Sequence, residues 1–109
     1  MDFNEYQKKA WETAIYPRKG ENLSYPALGL GGEVGEVIEK IKKIIRNDNQ
    51  DVSEEKKQEL IKEMGDLLWY LAAVATELKV DLNDVVENNI SKIKNRQEKG
   101  TIHGPGDNR

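Results

Sequence analysis

Two short runs in this sequence carry carboxylates at the same spacing. Glu33-Val34-Gly35-Glu36-Val37 returns thirty positions later as Glu63-Met64-Gly65-Asp66-Leu67, each reading acid, apolar, glycine, acid, apolar. Residues three apart on a helix are neighbours, so each run sets two carboxylates side by side. Four such groups brought together repel one another and resist ionising unless a cation neutralises them. Donor sets made only of oxygen favour hard ions, which points to Mg²⁺, with Mn²⁺ as an alternative. Glycine inside a helix costs about 1 kcal/mol relative to alanine. Its presence at matching positions, Gly35 and Gly65, leads us to expect that some group approaches the backbone closely there.

The elements that must position these acids are helical. A first helix is expected to open at Asp2, with Glu5 three residues on in a capping-box-like start, and to stop before Pro17. It carries Phe3, Tyr6, Ala10, Trp11 and Ala14 on one face. A polar connection over 16–23 leads to a second helix, capped by Ser24 and tolerating Pro26 in its first turn, that runs to about Arg46. Residues 47–51 read as a turn. Ser53 caps a third helix, whose first turn holds Glu54 and Glu55 at the favourable end of the dipole and which reaches about Leu78. Asp81 opens a fourth helix that fades at Gly100, and a glycine-rich tail, 101–109, follows. No segment reads as a strand, so the expected class is all-α, a four-helix bundle-type assembly. One domain spans 1–100.

Placing residues about 100° apart locates the acids on these helices. On the second helix the apolar stripe centres near Leu30, Val34 and Ile41; Glu33 falls roughly 80° to one side and Glu36 roughly 140° on the same side. On the third helix the stripe centres on Met64, Leu67 and Leu71; Glu63 falls roughly 90° away and Asp66 roughly 150°, again on one side. If the two helices form an antiparallel hairpin, the pairs can meet across the groove. The plainer alternative is that acids three apart form an ordinary solvated face.

On these residues the chain resembles the MazG-like all-α nucleoside triphosphate pyrophosphohydrolases. Their signature is Glu-x-x-Glu, a spacer, then Glu-x-x-Asp; here it is Glu33-x-x-Glu36, 26 intervening residues, and Glu63-x-x-Asp66, within Leu30-Gly31-Gly32-Glu33-Val34-Gly35-Glu36 and Glu63-Met64-Gly65-Asp66-Leu67-Leu68-Trp69-Tyr70. The resemblance covers roughly residues 25–100. It implies Mg²⁺-dependent cleavage of a nucleoside triphosphate between the α and β phosphates, giving a monophosphate and pyrophosphate. It also implies that Glu33, Glu36, Glu63 and Asp66 hold metal, with one of them acting as general base, and that copies of the chain associate as a homodimer or homotetramer. A related phosphoribosyl-ATP pyrophosphohydrolase is a weaker match, because the aromatics and the tail fit the MazG-like branch.

Other residues take their reading from both sources. On the fourth helix Asn89 sits among Val85, Val86, Ile90 and Ile93, and Lys92 and Arg96 follow on the same side. Family members carry a similar Asn-x-x-Lys-x-x-x-Arg set, suited to receiving phosphate oxygens; the alternative is a buried amide that sets register, with two surface cations. Tyr70, one turn beyond Asp66, is either near the substrate sugar, as in relatives, or a rim-packing side chain. Trp69 projects away from the stripe of its own helix, so a subunit interface is expected to cover it. Trp11 and Tyr25 either stack on a base or belong to the core. His103, the single histidine, lies in the tail rather than at Glu-x-x-His spacing, which disfavours a ferritin-like di-iron centre. The tail either folds over a bound triphosphate, with His103 or Arg109 touching it, or is a disordered end.

Composition narrows the function classes. With 37% hydrophobic and 34% charged residues the core is lean, which suits amphipathic helices completed by a second subunit. No cysteine is present, which excludes disulfides and thiol chemistry. The net charge of −3 and pI near 5.3 argue against nucleic acid as a partner. No apolar run reaches the roughly 20 residues a membrane span needs, and the acidic start lacks the pattern of a secretory signal, so a cytoplasmic protein is expected. The rival from another class is a non-catalytic helical module whose acids hold a structural cation or a basic protein.

Overall fold

The computed structural model describes residues 1–109. It holds four helices and no strand: α1 (Phe3–Thr13), α2 (Ser24–Asn47), α3 (Glu54–Glu77) and α4 (Leu82–Lys99). The all-α class read from the sequence is the one that forms.

The helix ends show which local signals operate. At α1 the Glu5 N–H donates to Asp2 Oδ1 at 2.8 Å, and at α3 the Lys56 N–H donates to Ser53 Oγ at 3.1 Å. Both caps are those expected. At α2 the expected cap is displaced: Ser24 is already helical, and Asn22 Oδ1 accepts from the Tyr25 N–H at 3.1 Å. The reason is tertiary, because Glu77 of α3 holds the preceding loop and brings Asn22 into place. Glu77 Oε2 accepts from the Asn22 N–H at 3.0 Å, and Oε1 accepts from the Gly20 N–H and the Tyr16 hydroxyl at 2.7 and 2.8 Å. At α4 the Asp81 side chain makes no capping bond. Helix α1 supplies the acceptors instead: Gln7 Oε1 takes the Leu82 N–H at 2.8 Å and Asn4 Oδ1 the Asn83 N–H at 3.0 Å. Gly100, at φ 69, ends α4 in the left-handed conformation that glycine adopts without penalty.

Helices α2 and α3, joined by residues 48–53, pack along each other as the hairpin expected; α1 lies on α3, and α4 packs chiefly on α1. The fully buried core is small-residue rich. Ala10, Ala72, Ala75 and Leu82 form one cluster with Tyr6 and Trp69 against it, and Ala14, Tyr16 and Ala73 another with Trp11 and Trp69. Alanines on both facing helices allow α1 to approach α3 closely, and Trp69 packs half-buried against this seam. Within one chain the face of Trp69 expected at a subunit interface packs on α1, where the indole Nε1–H donates to Thr13 Oγ1 at 2.8 Å, and the side chain stays half-buried.

Elsewhere the apolar stripes stay open. Leu28, Ile38, Ile45, Ile61 and Met64 of the hairpin are exposed, Met64 at 59%, as are Val85, Ile90 and Ile93 of α4. The radius of gyration is 16.8 Å, against about 13 Å for a compact domain of this length. One chain does not close its own bundle.

Gln7 is the polar pin of the assembled part. Buried to 9% exposure, it also donates through Nε2 to Val80 O at 2.9 Å and Thr76 Oγ1 at 3.1 Å, tying α1 to the α3–α4 corner. Gln7→Ala strands the Leu82 N–H and the Val80 carbonyl, and we expect a loss of about 2–3 kcal/mol in urea denaturation. A loss within error of an exposed-site control such as Lys8→Ala contradicts this role.

Candidate functional site

The site grows from the contact between α2 and α3. Gly29 lies four residues before Glu33, and Tyr70 four after Asp66. The Tyr70 ring lies so close over Gly29 that an added Cβ would collide with its Cε1 and Cδ1. This is the glycine whose missing side chain the fold uses. Gly35 and Gly65, where a close approach was expected, meet nothing within 4 Å in this chain, so the chain's own packing does not explain them.

With the helices at that separation, one carboxylate oxygen each from Glu33, Glu63 and Asp66 lie within 4.8 Å of one another. Glu36, exposed on the next turn of α2, stands outside this triad. Glu33 is the inner member, and its Oε2 is buried with no hydrogen-bond partner. Its carboxyl is pushed above the usual range first by desolvation and then by Asp66, Glu63 and Glu36. A buried carboxylate oxygen without a donor, beside two more acids, is a donor set that fits a hard divalent cation. Lys40 Nζ approaches Glu63 Oε1 at 3.8 Å and offsets part of the negative charge. This lysine, seven residues beyond Glu33, carries no motif signal in the sequence. Tyr6 of α1 was also missed as a neighbour: its hydroxyl is pushed up by burial and by the charge of Asp66. The Tyr70 hydroxyl is raised by burial, Tyr25, Glu33 and Asp66, which places Tyr70 at the border of the acidic cluster.

An aromatic cavity of about 330 Å³ adjoins that border, lined by Thr13, Ile15, Tyr16, Pro17, Tyr25, Trp69 and Tyr70. Tyr16 and Tyr25 stack at 4.8 Å and 13°, and Trp69 meets Tyr70 edge-on at 5.0 Å and 89°. Glu77 orients this wall through the Tyr16 hydroxyl, whose pKa rises through burial and that bond. Burial raises the Glu77 carboxyl, but the Asn22 N–H, the Tyr16 hydroxyl and the Gly20 N–H outweigh it and hold the group below the usual range. Trp11 packs edge-on to Tyr16 beneath Lys19, on the core side, whereas Tyr25 lines the cavity.

The α4 residues are not brought to the acids. Asn89, expected inside a buried stripe, is exposed because α4 leaves most of that stripe open; with Val85, Asn88 and Lys92 it lines a cavity of about 370 Å³. Arg96 is 5% exposed and covered by the tail, where its Nη2 donates to Asp107 O at 2.9 Å and Oδ1 at 3.2 Å. The tail is folded rather than trailing. Arg109 directs its guanidinium at the carbonyls of Thr101, Ile102 and Gly106, and His103 is exposed.

The family model of the MazG nucleotide pyrophosphohydrolase domain matches residues 24–101. Among curated proteins, the chain is 42% identical over 114 aligned residues to the Gene 37 protein of Mycobacterium phage L5, covering all of both chains. It is 32% identical over 96 residues to YvdC of Bacillus subtilis (strain 168), covering 81% of this chain and 91% of that one. No solved structure matches it significantly. The matched segment contains all four motif acids, Tyr70 and the α4 set.

Two outcomes follow from this geometry. Gly29→Ala forces Tyr70 off α2, and we expect about 1–3 kcal/mol of destabilisation; an unchanged melting temperature removes Gly29 as the spacer. Because the Glu33 carboxyl is raised on folding, its contribution to stability is full below its ordinary value of 4.5 and is lost as pH rises through the raised value. Metal-free Glu33→Gln protein is therefore expected to be more stable than the parent at neutral pH. The two should converge as pH falls toward about 4. Thermal unfolding in chelator at both pH values reads this, and a variant that gains nothing at neutral pH rejects the account.

Proposed function

The chain belongs to the MazG nucleotide pyrophosphohydrolase family, and from that premise we propose that it hydrolyses (deoxy)nucleoside triphosphates between the α and β phosphates. The products are a nucleoside monophosphate and pyrophosphate, and the role is to clear surplus or unwanted nucleotides. The observation that carries this reading is the triad of Glu33, Glu63 and Asp66, with the buried, unpartnered Glu33 oxygen at its inner end.

In this reading Glu33, Glu63 and Asp66 hold Mg²⁺, and Glu36 extends the acidic flank toward the incoming phosphates. An ion held by these residues would supply charge neutralisation for the triphosphate and would lower the pKa of an attacking water. A carboxylate of the motif accepts the water proton while the water oxygen joins phosphorus and the anhydride oxygen departs, so that monophosphate and pyrophosphate share the two new termini. Tyr70 stands between the acids and the aromatic cavity, a position suited to the sugar. Tyr25, backed by the stacked Tyr16 ring, offers a face on which a base stacks. The Tyr16 hydroxyl and the Trp69 N–H are already bonded within the protein, so this part of the wall stacks rather than reads base edges. Broad base acceptance is the corollary.

The α4 set of Asn89, Lys92 and Arg96 is assigned to phosphate oxygens. Because α4 packs chiefly on α1 rather than on the hairpin, these residues reach a triad most simply in an assembly of copies. The open apolar faces of α2, α3 and α4 support a homodimer or homotetramer. No helix is long and apolar enough to cross a membrane.

Pyrophosphate release across a panel of standard and modified triphosphates, with Mg²⁺, Mn²⁺ or chelator, tests the reading. Metal-dependent release with a monophosphate product is expected, reduced about a hundredfold or more in Glu63→Gln. Mg²⁺ should also raise the melting temperature of the parent but not of Glu33→Gln. Silence across the panel from folded, assembled protein would replace the enzyme with a cation- or protein-binding module.

A further inference from the structure

The tail beyond α4 is a built structure. Gly100 and Gly106 adopt φ values of 69 and 77, and a Cβ on Gly104 would sit 3.0 Å from Arg109 Cδ and 3.2 Å from Thr101 O. The Arg109 guanidinium closes the turn, with Nε donating to Thr101 O at 2.9 Å and Nη2 to Ile102 O at 2.7 Å. Three glycines and one arginine thus make 100–109 a unit with its own internal bonds, attached to α4 through the Gly100 reversal. What it presents to α4 is Asp107, whose carboxylate lies 3.2 Å from Arg96 Nη2 and 3.7 Å from Lys92 Nζ. Arg96 and Lys92 hold that carboxyl below the usual range, so it is charged.

The fit is incomplete in a chemically specific way. The Nε and Nη2 hydrogens of an arginine form a fork that matches two oxygens of one anion. Here Nη2 takes both Asp107 bonds, while Arg96 Nε is buried without a partner. A buried N–H left unpaired is costly, and a phosphate group carries enough oxygens to satisfy both arms of the fork and Lys92 together. Asp107 is itself 85% exposed and Lys92 45%, and solvent and salt weaken such a contact. The carboxylate is a weak resident on a cation pair that a multiply charged anion would fill better.

We propose that the tail is an intramolecular plug: Asp107 occupies the Lys92–Arg96 pair in the free protein, and a phosphate or pyrophosphate group binds there by displacing it. This rests on the reading that α4 receives phosphate, and adds that occupancy of the site is controlled from within the chain. The opposite role, in which Asp107 positions Arg96 for an incoming anion, predicts the opposite sign.

Calorimetric titration of the full chain with inorganic pyrophosphate, in chelator and at low salt, separates the two. Asp107→Asn is expected to bind about fivefold tighter than the parent, with the gain lost when Lys92→Gln is added. Unchanged or weaker binding overturns the plug. Should the substitution disturb the tail, amide NMR of the parent gives an independent reading. Residues 101–109 should shift together on pyrophosphate addition, and a bound chain with unmoved tail amides refutes displacement. Nucleotide turnover without any effect of Asp107→Asn on pyrophosphate affinity would sink the plug and leave the hydrolase standing. Affinity raised by Asp107→Asn in a chain that turns over no nucleotide would do the reverse.

Discussion

Three carboxylates are held close together against their own repulsion, and most of what is distinctive in this fold serves that arrangement. Left to themselves such groups separate or take up protons. They stay together because the hairpin is fixed one turn away, where the Tyr70 ring fills the space that a side chain on Gly29 would take. Glu33 bears the cost, buried and unpartnered at one oxygen. Lys40 relieves part of it from outside. A cation held there would relieve the rest, so strain in the bare site and capacity for metal are two statements of one electrostatic fact.

The hairpin alone would not hold the remainder of the site in place. Helix α1 docks on the other side of α3 through alanines, and its Gln7 and Asn4 cap α4. Glu77, eleven residues beyond Asp66 on the same helix, gathers the 16–22 loop and with it the aromatic wall. Acid triad and aromatic cavity are thus two faces of α3, joined at Trp69 and Tyr70. A rigid helix carrying both keeps them in register without a long-range relay.

The open faces explain what one chain leaves undone. Small domains bury a limited fraction of their surface, and a lean composition lowers it further. The hairpin and α4 keep large apolar side chains in solvent, and the cations of α4 lie away from the acids. Both facts are the grounds on which an assembly of copies is proposed.

Sequence alone determined the local and periodic features. Helix number, the Asp2 and Ser53 caps, the reversal at Gly100 and the four acids with their i, i+3 spacing all follow from short-range chemistry, and the family resemblance rests on that spacing. Tertiary structure decided everything that depends on what lies opposite. It chose Gly29 rather than Gly35 or Gly65 as the glycine under close contact, put Glu36 outside the triad, and replaced Ser24 by Asn22 as the α2 cap. It packed Trp69 on α1, left Asn89 in solvent, and drew Arg96 beneath a folded tail. Helical periodicity gives the direction of a side chain around its own axis but not the identity or distance of its neighbour. Burial, charge coupling and metal capacity are set by that distance.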